Sequence, residues 1–189
     1  NSIRALVDEN PERSKDSITQ LSNILRSSLL MGRHKVIPLS EEIQLVHDYL
    51  SLEQTRFEER LKVKYDIDEN AKDHKVPPML LQTLVENGIK HGISKLPEGG
   101  IIEIRARMEG NDLKLTIENT GNFREVKDRE PGFGLLNSRQ RLFLLYGEKG
   151  ELIIKNSAHG TVIVEVTIPD SIKEIKVFKS NIDDKNEDL

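Results

Sequence analysis

The 189-residue chain contains no cysteine, which excludes disulfides and thiolate metal sites and removes any sign of an oxidising compartment. It also lacks an excess of positive charge. Lys+Arg 28 against Asp+Glu 32 gives a formal net charge of -4, which argues against a nucleic-acid binder working through a basic surface. No apolar run approaches the ~20 residues a membrane helix needs, and the first residues carry no signal-peptide pattern. These absences point to a soluble chain, long enough for one core with a small appendage.

What is present divides into two halves. In residues 1–60 the apolar period is helical. Ile3, Leu6 and Val7 make a short stripe that stops near "ENP". Asn10 and Pro11 then supply a cap and a first-turn proline for a second helix. Ile18, Leu21, Leu25 and Leu29 recur along that helix, and Gly32 closes it. Ser40 opens a third helix with Ile43, Val46, Leu50 and Phe57 on one side. For most of these residues the reading is a packed hairpin. An apolar stripe that such a hairpin cannot bury alone also suits dimerisation.

From residue 61 the period becomes two. Leu61, Val63, Tyr65 and Ile67 alternate with polar residues, as do Ile102, Ile104, Ala106 and Met108, then Leu113, Leu115 and Ile117. "ELIIK" and "TVIVEVTIP" add two more strands. Each alternating strand has one apolar face, and helices over 78–92 and 134–146 are the natural cover. The expected fold is a two-layer α+β sandwich over 61–169, preceded by the helical segment 1–60. Residues 170–189 read as a charged, disordered tail.

Several residues break these patterns. "LQTLVENGIKHG" places Leu81, Leu84, Val85, Gly88, Ile89 and Gly92 on one helical face, with Thr83, Glu86, Asn87 and Lys90 on the other and His91 at the border. Asn119 puts an amide in the inward phase of Leu113, Leu115 and Ile117, with Thr120 and Gly121 directly after. Gly132 and Gly134 precede a helix, where free N–H groups can meet an anion. Gly160–Thr161 opens the last strand. Taken singly, each has an ordinary structural explanation.

Together, "LLQTLVENGIKHGI", "IENTGNF", "GFGLLNSRQRL", "LLYG" and "GTVIVEVTIP" resemble the nucleotide-binding boxes of the GHKL, or Bergerat-fold, ATPases. The closer similarity is to the LytS-type sensor histidine kinases. It extends to "SEEIQLVHDYLSLEQTRFEERL", which resembles the linker helix before the ATP-binding domain of that family. The resemblance implies the Bergerat sandwich, with a mixed sheet, and binding of ATP with Mg²⁺. It makes Asn87 the metal-coordinating amide, a suitable hard ligand, and sets Lys90 and His91, as catalytic residues, against the phosphates. Gly88 would let the helix pack closely on the sheet. Asn119, Gly121, Gly132, Gly134, Leu135, Arg139 and Thr161 complete the implied nucleotide site, and 120–131 would be a lid over the phosphates.

Two departures qualify what is implied. Many members of the wider superfamily read adenine with an aspartate where this chain has Asn119, a neutral and weaker acceptor. Hydrolysing members carry a glutamate one turn before the metal asparagine, and here that position is Thr83, which disfavours activation of water. The family's acceptor histidine lies in a segment expected upstream of Asn1. His34, His47, His74 and His159 read as surface or structural residues.

The expectation is therefore the cytoplasmic ATP-binding part of a sensor kinase that passes a γ-phosphoryl group to an upstream histidine and then to a response regulator. The parent protein would be a homodimer, held at the membrane only through segments further upstream. Two alternatives stay open: another GHKL protein kinase, such as an anti-sigma serine kinase, or a module that binds nucleotide for regulation without transfer.

Overall fold

The computed structural model describes residues 10–123 and 133–172. The stripe at Ile3, Leu6 and Val7, most of the expected lid and nearly all of the expected tail lie outside them.

Helix α1 (Pro11–Met31) starts where the sequence places it, with the Asn10 side chain accepting from the Arg13 N–H at 3.1 Å. It ends at Gly32, whose N–H returns to Ser28 O. The short strand β1 (Ile37–Pro38) leads into α2 (Leu39–Phe57), which begins one residue before Ser40 because Pro38 fixes the entry. Strand β2 (Leu61–Ile67) follows, then the short β3 (Lys75–Val76), which pairs antiparallel with β1. That ribbon ties the start of α2 to the approach to α3 (Leu80–Asn87). Strands β4 (Gly100–Glu109) and β5 (Asp112–Thr120), helix α4 (Phe133–Tyr146), and strands β6 (Glu151–Asn156) and β7 (Thr161–Ile168) complete the described chain.

The large sheet has the order β2-β4-β5-β7-β6. It is mixed: β2 runs parallel to β4, and the other neighbours are antiparallel. One face is apolar, with Ile102, Ile104, Ala106, Leu113, Leu115, Ile117, Val166 and Ile168 almost fully buried. Helices α2, α3 and α4 contribute Leu50, Phe57, Leu81, Leu84, Val85 and Leu142 to the same core. This is the expected two-layer sandwich, and α2 shares its core. The opposite face is an ion ladder, in which Arg105 bonds Glu103 and Glu118 at 2.9 Å each and Lys155 bonds Glu165.

Two expectations about faces are modified. Tyr65 is 39% exposed although it keeps the inward phase of β2, because that strand is at the sheet's edge and the cover thins there. On α1 the residues turned inward are Ser14, Ser17 and Ile24. The stripe Ile18, Leu21, Leu25 and Leu29 is 50%, 39%, 57% and 74% exposed.

Ile104 lies at the centre of the covered face and is 0% exposed. Ile104→Ala should lower the unfolding free energy by about 2–5 kcal/mol in a urea titration, since the sheet cannot collapse into the cavity.

Candidate functional site

Asn119 is the point around which the site is built. It continues the inward phase of β5 and is 3% exposed. Its Nδ2 donates to Thr120 O at 3.0 Å, which leaves Oδ1 as the amide's acceptor without a partner among the described residues. Space for this amide comes from the facing helix. A Cβ on Gly88 would lie 2.9 Å from Asn119 Oδ1, and one on Gly92 would lie 2.3 Å from Nδ2 and 2.8 Å from Thr120 O. Alanine at either position would collide with the amide. Between them, Gly88–Gly92 form a turn of π-helix continuing α3, a local widening often found at functional sites.

Asn87 ends α3 one residue before that turn. Its Nδ2 donates to Thr83 O at 2.7 Å, one turn back, so its oxygen is the end of the amide available to a cation. Thr83 donates its hydroxyl to Met79 O at 2.6 Å and supplies no base. Gly134, at the start of α4, closes on this pair: a Cβ there would be 3.0 Å from Thr83 Cγ2 and 3.7 Å from Asn87 Nδ2. Gly134, 47 residues beyond Asn87 and 51 beyond Thr83 along the chain, thus forms one cluster with them.

Lys90 and His91 are exposed on the π-turn. The His91 pKa is lowered by partial burial, then by the neighbouring Lys95 and Lys90. Gly121 lies against Gly92, and its N–H donates to Gly160 O at 3.1 Å. Beyond it, Phe123 and Asn156 exchange hydrogen bonds of 2.7 Å, anchoring the entry to the expected lid at the end of β6.

The remaining expected site residues are placed as follows. Leu135 is partly buried against the core, and Arg139 is exposed on α4. Thr161 sits opposite Thr120, one step out of phase with Asn119, and its hydroxyl donates to Glu118 and meets Ser157, both at 2.8 Å. Its side chain is therefore on the ion-ladder face, and Val162 occupies the inward place across from Asn119. Gly132 lies outside the described residues.

One residue of the site's framework is absent from the sequence reading. Glu42 of α2 is 0% exposed, and its carboxylate accepts from the backbone N–H groups of Met79 (2.5 Å), Leu81 (2.9 Å) and Gln82 (3.4 Å). Burial pushes its pKa up to about 7 against the opposing pull of these N–H groups and Arg141. A signal existed: Glu42 falls in the same helical stripe as Leu39, Val46 and Leu50, a carboxylate where an apolar residue is expected.

The histidine kinase family profile matches residues 1–61. The chain is 35% identical over 175 residues to the sensor protein LytS of Staphylococcus haemolyticus, across 86% of this chain and 30% of that protein. It is 35% identical over 157 residues to the sensor histidine kinase YpdA of Escherichia coli, across 78% and 28% of the two chains. The chain is a homologue of the LytS sensor proteins over most of its own length. It spans about 30% of the length of these LytS relatives. The fold is that of histidine kinase catalytic domains. That of ThkA superposes with a TM-score of 0.57 at 18% identity, over 73% of this chain and 97% of that one. The histidine kinase domain of the Erythrobacter litoralis blue-light activated kinase gives 0.56 at 21% identity, over 88% and 82%.

Two outcomes are expected. Gly92→Ala should cost about 1–3 kcal/mol by displacing the Asn119 amide, read by thermal or urea unfolding. The second concerns Glu42 and pH. Its folded pKa of about 7 exceeds the ordinary 4.5, so as pH rises between these values the unfolded chain loses its proton first. Relative to Glu42→Gln, the parent chain should therefore lose stability from about pH 5 to pH 8, seen as a changing difference in melting temperature. A constant difference would contradict the assigned shift.

Proposed function

We propose that this chain is the Mg·ATP-binding catalytic part of a two-component sensor kinase, transferring the γ-phosphoryl group to a histidine and from there to a response regulator. The observation that carries the reading is the convergence of Asn87, Gly134 and the inward Asn119 around one helix, in a chain related to sensor kinases. Asn119 Oδ1 would accept from the adenine 6-amino group. Gly88 and Gly92 keep the wall beside it free of side chains. Asn87 Oδ1 would coordinate Mg²⁺, which would supply positive charge against the negative charge of the phosphates. Lys90 would add a point charge to the phosphates, and His91 would serve them as a hydrogen-bond donor. Gly121 and the start of α4 at Gly134 and Leu135 would complete the pocket, with Gly132 and Arg139 as further candidates. Thr161 would act through its backbone and its bond to Glu118.

Thr83 favours transfer to a protein acceptor over hydrolysis. A carboxylate is missing from that position, and the hydroxyl is bonded to the helix itself. The exposed stripe on α1 would pair with a second copy of the chain, giving a homodimer. A response regulator as partner is supported by a structural relative, histidine kinase ThkA, which has been solved in complex with response regulator TrrA. Among the described residues no helix is long and apolar enough to cross a membrane. The proposed setting is the cytoplasmic side of a membrane-anchored parent.

Calorimetric titration tests the reading directly. The parent chain should bind Mg·ATP, and Asn87→Ala should weaken binding by about tenfold or more with Mg²⁺ present and little in its absence. That difference corresponds to about 1.4 kcal/mol or more. Equal affinity of Asn87→Ala and the parent for Mg·ATP would remove Asn87 from the metal site.

A further inference from the structure

Helix α3 begins without the usual cap. Its preceding residue, Met79, is held in the left-handed region at φ 63 and offers no side-chain acceptor. The free N–H groups of a helix's first turn must find acceptors when they are buried, and here the acceptor is brought from another element. One Glu42 oxygen takes the Met79 N–H and the other takes those of Leu81 and Gln82. A third element meets them at the same place: Arg141 of α4 donates to Pro78 O at 2.5 Å.

The consequence reaches Asn87. Helix α3 is eight residues long, from Leu80 to Asn87, about 12 Å at the ordinary rise. A rigid segment that short transmits a displacement of its first turn to its last. Among the described residues Gln82 Oε1 is buried without a partner, while Gln82 Nε2 bonds Glu86 at 2.7 Å. The start of the helix is held by the carboxyl group of α2 together with the burial of Leu80, Leu81 and Val85 in the core. We propose that Glu42 is a positioning residue for the nucleotide site, capping α3 from α2 so that Asn87 stands in register with Asn119 and Gly134. The inference rests on the nucleotide reading above. It adds that α2 and the nucleotide helix are joined by a directional, hydrogen-bonded contact, so a shift of α2 along its axis moves Asn87.

Glutamine has nearly the same shape but only one acceptor oxygen. Its NH₂ group would face either the Met79 N–H or those of Leu81 and Gln82, donor against donor, and the first turn has to move. The experiment compares the parent chain with Glu42→Gln and Glu42→Ala, at a temperature where melting curves show each to be folded. Mg·ATP affinity is measured by calorimetry, and backbone amide exchange is followed without nucleotide. Both variants should bind Mg·ATP about tenfold more weakly, the scale expected for loss of a helix cap. Exchange should accelerate at Leu81 and Gln82 and along α3 while the sheet amides stay protected. A purely structural role would lower the melting temperature and leave the affinity of the folded protein unchanged.

Affinities within twofold of the parent for both variants would overturn the proposal. So would failure of both to fold, because Glu42 would then be a determinant of stability alone. If the parent itself does not bind Mg·ATP, the nucleotide reading falls, and exchange at Leu81 and Gln82 alone decides whether Glu42 positions the helix.

Discussion

Asn119 donates its amide N–H to Thr120 O from a buried place on an otherwise apolar sheet face, and much of the neighbouring structure follows from making room for it. A buried amide costs free energy unless it is hydrogen-bonded, and a full side chain opposite would press on it. The facing helix answers with Gly88 and Gly92, each of whose absent Cβ would fall within 3 Å of the amide. Glycine weakens a helix interior. Here the helix changes to a wider π-turn over the same residues, and Lys90 and His91 are carried on it at the surface. The polar group in the sheet and the irregular helix beside it are thus one structural unit.

Charge is arranged around that unit in two different ways. On the solvent face the ions are paired among themselves, with Arg105 between Glu103 and Glu118 and with Thr161 completing the Glu118 contacts. These groups stabilise a half-covered sheet and leave the covered face to its apolar residues. Inside, the buried carboxylate Glu42 faces backbone donors, with Arg141 nearby. A buried carboxyl group held by several N–H groups is directional. It ties α2 to α3 with far less freedom to slide than an apolar contact would allow.

Periodicity made most of the fold legible. The alternation of Leu113, Leu115 and Ile117 placed β5 correctly and marked Asn119 as inward, and the mixed sheet came with the family resemblance. The apolar stripe of "LQTLVENGIKHG" identified the buried face of α3. Phase arguments failed where neighbours decide the outcome. Tyr65 follows the inward phase but lies on an edge strand. Ser14 and Ser17 are buried on α1 while Leu25 and Leu29 are exposed, because close helix approach favours small residues. Thr161 could be recognised as part of a motif, yet its one-residue phase difference from Asn119 directs its hydroxyl to the other side of the sheet.

Apart from the short strands β1 and β3, the sequence by itself determined the periods and the boundaries of the larger helices and strands to within a residue or two. These are local properties, set by backbone propensity and by which side of an element is apolar. Only the tertiary structure decided that Gly134 would back onto Asn87 across an intervening sheet hairpin, and that Glu42 would terminate a helix to which it is not connected. Such contacts depend on how three helices cross one sheet face. No spacing along the chain encodes them, because the groups that meet are brought together by the shared burial of other residues.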